Sequence, residues 1–339
     1  MIYLKEYLEA IESEEKREPA ATAIINPAST RYKQALKKLD RLEKAARFSI
    51  IRSTTTAYPH HTKAIIQEAF FGSDLVIVLG GDGAFHSVVR ARMEMYDRMS
   101  DHEKRIPILS IGGGNAEDGL RANHTDFHRR HPEQLLNDGL IAETHPIRFD
   151  IHMPGHEENY KEHYWAAFYA SLGATALATE ALNSPKHRHS FFGKRKFGRL
   201  VSELPIAARS MVKSETNRVR ELDGSERELY TELFINSGIM AKYLRFPVKL
   251  TEDRIFHLAM EQKRYSNTIS AALAARRGKL EGDYLEPEDS VSFITTHDLK
   301  AQLDGEDKLG DYSLIPSQSQ VRIGLDERSL RVVVTNPEL

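Results

Sequence analysis

Two glycine runs stand out for the chemistry they could support. Gly80-Gly81-Asp82-Gly83 follows the apolar run Leu75–Leu79 and precedes a helical pattern. Gly112-Gly113-Gly114-Asn115 follows the next apolar run, Ile106–Ile111, in the same way. Glycine lets backbone N–H groups approach an anion closely and tolerates positive φ. The start of the following helix adds free N–H donors and the positive end of a dipole. A carboxylate in such a loop is a poor anion ligand alone. Asp82 suits the holding of Mg²⁺ or of a hydroxyl group, or else it is the N-cap of a strand-to-helix turn. Two such loops at neighbouring strand ends build one crevice, which points to phosphate or nucleotide binding. Neither run is G-x-x-x-x-G-K-[ST] or G-x-G-x-x-G, which excludes a P-loop and a dinucleotide fingerprint.

The elements that must hold these loops alternate. Ala21–Ile25, Phe48–Ile51, Leu75–Leu79 and Ile106–Ile111 read as strands. Arg31–Ala46, His61–Phe71, Phe85–Met99 and much of Asn115–Leu136 read as helices. Continuous apolar strands alternating with helices predict a doubly wound parallel sheet, with ligands at the carboxyl ends of its strands. A third interruption at such an end is Asn26-Pro27-Ala28-Ser29. Ahead of the sheet, Leu4, Leu8 and Ile11 mark one face of a short amphipathic helix. The second half reads as strands Ile141–Ile151, His163–Ser171, Glu228–Ile235, Ser290–Thr295, Lys300–Leu303, Ser319–Ile323 and Leu330–Val334. Helical stretches Lys196–Lys213 and Ser266–Arg277 interrupt them. The expected fold is α/β: an N-terminal doubly wound nucleotide domain over 1–136, with 1–20 as an amphipathic extension. A β-rich, sandwich-like second domain follows over 137–339, its last residues packing back on the first domain.

The chain has 339 residues, 40% hydrophobic and 28% charged, as expected of about two globular domains. It has no cysteine, which excludes thiol catalysis, Cys-ligated zinc and disulfides. The net charge of -2 argues against a nucleic-acid polycation. The longest strongly apolar stretch, Trp165–Ala178, is well short of the roughly 20 residues a membrane span needs. The N-terminus turns acidic after Ile11 and offers no secretory segment. A cytoplasmic protein is expected, and a homodimer stays open. His152 and His156 are separated by Pro154 and Gly155, so they form no helical metal pair. Lys186–Arg199 combines lysines and arginines with Phe191, Phe192 and Phe197. It reads either as a contact for an anionic membrane surface or as a solvated loop.

Taken in order, INPAS at 25–29, GGDG at 80–83 and GGGN at 112–115 resemble the nucleotide site of the diacylglycerol kinase catalytic domain family. That family includes sphingosine, ceramide and YegS-like bacterial lipid kinases and is distantly similar to NAD kinase. WAAFYASLGATA at 165–176, FINSGIMAKYLRFPVKLTED at 234–253 and LDGE at 303–306 continue the resemblance. It implies ATP and Mg²⁺ as cofactors and a lipid hydroxyl, diacylglycerol-like or sphingoid-like, as acceptor. It implies that Asn26 and Ser29 line the first phosphate or adenosine-side loop, with Arg31 as phosphate partner and Thr56 near the nucleotide. Gly80, Gly81, Asp82 and Gly83 become the triphosphate loop, and Gly112, Gly113, Gly114 and Asn115 the second loop. Asp304 would take the proton of the attacking hydroxyl, with Asp82 as rival base and Glu306 joining Asp82 at the metal. Read by itself, Asp304-Gly305 is equally a hairpin turn.

The chain departs from the family where Ala84, Ser87, Gly113 and Ala116 replace the usual Thr, Glu, Thr and Asp. Two other readings stay open: a kinase for a soluble acceptor such as NAD, and a nucleotide- or lipid-binding protein impaired in catalysis.

Overall fold

The computed structural model describes residues 1–113, 121, 123–155, 161–183, 209, 214, 216–236, 239–240, 244–246, 254–260, 286–304 and 314–335. The first six strands are β1 (Ile2–Tyr3), β2 (Ala20–Ile25), β3 (Ser49–Thr54), β4 (Leu75–Leu79), β5 (Ile108–Ser110) and β6 (Leu140–Thr144). With the final strand, Leu330–Val334, they form a seven-stranded sheet. One side of it, where β5, β4, β2 and the edge strand β3 lie side by side, is parallel. Helices α1 (Leu4–Glu15), α2 (Tyr32–Ala45), α3 (Pro59–Phe71) and α4 (Asp82–Met95) accompany it.

Strand alternation sorts the apolar residues to two faces. Ala23, Ile25, Leu75, Ile77 and Leu79 share a core with Leu4 and Leu8 of α1 and Leu39 and Leu42 of α2. Ile24, Val76 and Val78 share the other with Ile66 of α3 and Phe85, Val88 and Val89 of α4. A parallel sheet covered on both faces needs this period of two beneath an apparently continuous apolar run.

The second half holds two antiparallel six-stranded sheets. Their strands are β7 (Ile147–His152), β8 (Glu162–Ala166), β9 (Tyr169–Gly173), β10 (Asn217–Glu221), β11 (Glu226–Leu229) and β12 (Thr231–Ile235). After the short pair β13 (Ile239–Met240) and β14 (Leu244–Arg245) come β15 (Ile255–Met260), β16 (Glu286–Glu288), β17 (Ser290–Thr295) and β18 (Leu299–Leu303). The series ends with β19 (Leu314–Ile315), β20 (Gln320–Leu325) and β21, the final strand already described. One sheet runs β11-β10-β17-β20-β7-β8 and the other β16-β15-β12-β9-β18-β19. Phe149, Tyr164, Leu172, Phe234, Phe293 and Val321 meet in a core drawn from both. The fold is thus mixed α/β, with a parallel-sheet N-terminal part and a β-rich second part.

The expected strand Ile141–Ile151 is two strands in different sheets. Pro146 cannot donate to a ladder, and the chain changes sheet there. The expected strand Glu228–Ile235 likewise splits at Tyr230. The apolar stretch Trp165–Ala178 spans β8, a turn, β9 and the start of the helix Ala174–Asn183. Helix α4 begins at Asp82, three residues ahead of expectation. Among the described residues of 115–136, Arg121, Asn123, Asp126–Arg130 and the start of Leu135–Asp138 are helical, and Pro132–Gln134 is a 3-10 turn, in keeping with the expected helical stretch. The expected helix Ser266–Arg277 lies outside the described residues, as does Lys196–Lys213 apart from Arg209.

The N-terminal extension is docked. Leu4, Leu8 and Ile11 of α1 are buried. At its far end the Arg17 guanidinium pairs with both oxygens of buried Asp74, at 2.7 and 2.6 Å, and the Ala20 N–H adds a third bond at 2.9 Å. Burial alone would raise the Asp74 carboxyl; Arg17 and Ala20 outweigh it and hold it below its ordinary value. A carboxyl lowered on folding adds stability above its unfolded pKa, near 4, and loses it as pH falls through the lower folded value. Arg17→Gln should therefore cost about 1 kcal/mol at pH 7, the low end for a pair whose arginine stays partly exposed. Urea unfolding should show that loss shrinking below about pH 4. An equal loss at pH 3 and pH 7 would assign the effect to packing instead.

Candidate active site

The carboxyl ends of β2, β4 and β5 bring three loops together. Where β2 ends, the Asn26 N–H donates to the Leu79 carbonyl at 3.0 Å. The Asn26 Oδ1 accepts from the Ala28 N–H at 3.0 Å, and the Ser29 N–H reaches back to the Asn26 carbonyl at 3.1 Å. Asn26 thus shapes its own turn. Gly80 packs beneath that turn: a Cβ on it would lie 3.5 Å from Ser29 Oγ, 3.6 Å from Asn26 Cβ and only 2.3 Å from Ala84 Cβ. The third loop joins where the Arg31 N–H donates to the Gly113 carbonyl at 2.9 Å. A Cβ on Gly113 would stand 3.4 Å from Gly80 N. Gly112 takes φ +76°, the left-handed region open to glycine.

Two helices start at this rim, α2 at Tyr32 and α4 at Asp82. In their first turns the Tyr32, Gln34 and Ala84 N–H groups donate to the Ser29, Arg31 and Gly81 carbonyls, and each helix start carries the positive end of the dipole. Asp82 is the first residue of α4 and is half-buried. Ser87 donates its hydroxyl to the Gly83 carbonyl at 2.9 Å, so at this position the side chain serves its own helix. Thr56 donates its hydroxyl to the Tyr58 carbonyl at 3.2 Å and accepts the Tyr58 N–H at 3.1 Å, closing the turn into α3. The residue tied to the end of β2 is Thr55, whose N–H reaches the Ile25 carbonyl at 2.8 Å. Gly114 and Asn115 lie outside the described residues, as do Gly305, Glu306 and Lys186–Arg199. Among the described residues no group of three His, Asp or Glu side chains could hold a metal ion.

Asp304 follows β18 at φ +47° and is buried. Its Oδ1 accepts the N–H groups of Phe168 at 2.8 Å and Tyr169 at 3.0 Å. Its Oδ2 accepts the Ala167 N–H and faces His86 Nδ1 at 3.1 Å. Both oxygens are engaged and the side chain has 0% exposure, because the carboxylate satisfies the turn where the chain passes from β8 to β9.

His86 was not singled out from the sequence, where it is a lone histidine in an apolar helix. The available signal was its place four residues after Asp82, on the same face of α4. Around this contact Phe85 stacks on Phe168 at 5.0 Å. Trp165 Nε1 donates to Asp326 Oδ2 at 2.7 Å, and Arg328 Nη2 donates to the same oxygen at 2.7 Å. Burial would raise the Asp326 carboxyl, but Arg328 and Trp165 hold it below its ordinary value.

The model of the diacylglycerol kinase catalytic domain matches residues 20–147. This segment belongs to that family. It contains the Asn26, Gly80 and Gly112 loops, and the match supports a kinase. A diacylglycerol kinase structure from Bacillus anthracis str. Sterne shares the fold at a TM-score of 0.65 and 15% identity, covering 94% of this chain and 97% of that one. Yeast NADH kinase, solved with NADH, shares it more distantly, at a TM-score of 0.50 and 10% identity over 95% and 85% of the two chains. No curated protein matches the sequence.

Asp304→Asn should destabilise the fold, because an amide NH₂ would face N–H groups that now donate to a carboxylate oxygen. A loss of about 1–3 kcal/mol is expected for a buried donor left unpaired. Urea unfolding checks it, and unchanged stability would mean the Ala167–Tyr169 turn does not depend on this carboxylate.

Proposed function

We propose that the protein transfers the terminal phosphoryl group of ATP to a hydroxyl group of a lipid, diacylglycerol-like or sphingoid-like. The observation that carries this reading is the meeting of the Asn26, Gly80 and Gly113 loops at adjacent parallel strand ends, beside two helix starts. Backbone N–H groups at that rim suit a triphosphate. Asn26, Ser29, Arg31, Gly80, Gly81, Asp82, Gly83, Gly112 and Gly113 are the residues proposed to cradle it. Gly114 and Asn115 join them on the sequence resemblance alone.

Phosphoryl transfer asks the protein chiefly for positioning and charge neutralisation. Mg²⁺ commonly takes one or two carboxylates, with phosphate oxygens and water completing its shell. Asp82 at the rim fits that demand, with Glu306 as the second carboxylate on the resemblance. Bound there, the ion would neutralise charge on the phosphates. The acceptor is proposed to enter between α4 and the β8–β9 turn, where the two halves of the chain meet.

MgATP should stabilise the protein by roughly 2.7 kcal/mol at 100 times its dissociation constant. Gly81→Val should abolish the resulting rise in Tm, because a branched side chain blocks backbone approach to the phosphates. No rise in the wild type at millimolar MgATP would sink the nucleotide reading. Radiolabelled ATP offered with lipid extract, with NAD and with soluble alcohols then decides the acceptor. Label on lipid supports the proposal. Label on NAD makes the protein a soluble-acceptor kinase, and binding without transfer makes it an impaired relative.

No described helix is long and apolar enough to cross a membrane. Access to a lipid is therefore proposed to be peripheral, through Lys186–Arg199. Each basic residue near an anionic surface contributes about 1 kcal/mol, and phenylalanines insert beside such residues. Binding to anionic vesicles should weaken with salt and fall when Lys194, Arg195 and Lys196 are changed to serine. Equal vesicle binding by that variant and wild type would remove the segment from the proposal.

A further inference from the structure

We propose that β3 is a dimer strand: it pairs antiparallel with β3 of a second copy of this chain, with Ile51 of each copy at the two-fold axis. The inference does not depend on the kinase reading.

The edges of the three large sheets lead there. A sheet edge is a template for another strand, and proteins blunt it by shortness, charge, proline or cover. Strands β1 and β19 are two residues long. In β11, Glu226, Arg227 and Glu228 are charged. β16 is Glu286-Pro287-Glu288. β8 opens on Glu162 and His163, and its Tyr164, Trp165 and Ala166 are buried. β3 carries none of these guards. It runs six residues, Ser49–Thr54, at the end of the seven-stranded sheet, and among the described residues nothing pairs with its outer side. Its single charge is engaged on its own α2: Arg52 Nε donates to Glu43 Oε1 at 2.7 Å, and Nη2 donates to Asp40 Oδ1 at 2.6 Å.

Ile51 marks the missing cover. Ile50 packs against the core beneath α2. Ile51 points to the opposite face, on the register of Thr22 in β2, and is 57% exposed. Meeting its own copy would remove apolar surface from water on both chains.

The backbone limits the register. The Thr55 N–H donates to the Ile25 carbonyl at 2.8 Å, so Thr55 turns its backbone groups toward β2. These groups alternate along a strand, so those of Ser49, Ile51 and Ser53 also turn inward, and those of Ile50, Arg52 and Thr54 turn outward. The antiparallel self-pairings that use most of the strand then have Ile51 or Arg52 at the axis. Arg52 there would set two guanidinium groups opposite each other, and like charges directly opposite destabilise a pair. Ile51 there sets isoleucine against isoleucine in a non-hydrogen-bonded pair, where side chains come closest. Each Arg52 then exchanges backbone bonds with Ile50 of the second copy, and each Ser53 lies opposite a Ser49. A strand that complements itself about a two-fold axis fits a second copy of its own chain. Antiparallel pairing also sends the two glycine-loop rims to opposite ends of the joined sheet, so both stay open.

The chain has no cysteine, so an introduced one is its sole thiol. Opposed residues of a non-hydrogen-bonded pair have Cα atoms about 4.5 Å apart, within the span of a disulfide. Sedimentation velocity should give wild type twice the mass of one chain across the micromolar range. Under mild oxidation Ile51→Cys should cross-link almost completely to a dimer. Ser53→Cys alone should not, because the two copies of that residue lie roughly 13 Å apart along the strands. Mixed Ser49→Cys and Ser53→Cys chains should cross-link to each other. Ile51→Lys, which places two like charges at the axis, should sediment as a monomer and keep the circular dichroism of wild type. A wild type that stays monomeric across that range would overturn the proposal. A dimer that survives Ile51→Lys would overturn it too, by placing the interface elsewhere. Cross-linking of Ser53→Cys alone, with Ile51→Cys left uncross-linked, would overturn the register and the axis at Ile51. Should Ile51→Lys lose its circular dichroism, the cysteine series decides alone.

Discussion

A buried carboxylate has to be satisfied, and satisfying Asp304 organises the middle of this molecule. Its partners come from two places far apart in sequence: three successive N–H groups at the β8–β9 turn, and an imidazole on α4. Removing a charge from water costs several kcal/mol unless partners replace the water. The turn and the helix therefore adopt positions that serve the same two oxygens. The turn is also the point at which the chain leaves one antiparallel sheet for the other. The placement of the second half against the glycine-loop helix thus follows from one side chain's hydrogen-bonding requirement. Trp165, Asp326 and Arg328 reinforce the same seam.

The glycine loops obey a steric constraint of a different kind. Gly80 is pressed by Ala84, Ser29 and Asn26 at once, and Gly113 lies against Gly80. Side chains at these points would hold the three strand ends apart. Their absence lets backbone approach backbone where the three loops meet. Ser29 and Asn26 spend their polar atoms partly on this local architecture.

The parallel sheet was legible in the sequence because Leu75–Leu79 and its neighbours are apolar on both faces, and only a doubly covered strand requires that. The loops were legible because glycine runs at strand ends have few other uses. The second half was harder. Strands there pair with partners far off in the chain, and local alternation does not say which sheet a strand joins. Pro146 signals a break, yet the alternation on its two sides looks like one strand. The partnership of His86 with Asp304 spans 218 positions and leaves no local trace on either side. Asp304 drew notice for its place in a turn motif, whereas its hydrogen bonds depend on a turn far upstream.

The strand order of the first sheet has a consequence for how the chain comes into being. Between β6 and β5 lies β21, the last strand, so the sheet that carries the nucleotide loops is closed by residues 330–334. During synthesis, residues 1–144 emerge with a gap in the middle of their sheet. The edge of β5 stays open while the whole second half is made. Long-range pairing of this kind delays folding and exposes unpaired strand edges meanwhile. Within this fold the family-matched segment, residues 20–147, is not a module that can be cut out at its sequence borders. Its completion waits on β21, which is made only after the whole β-rich half.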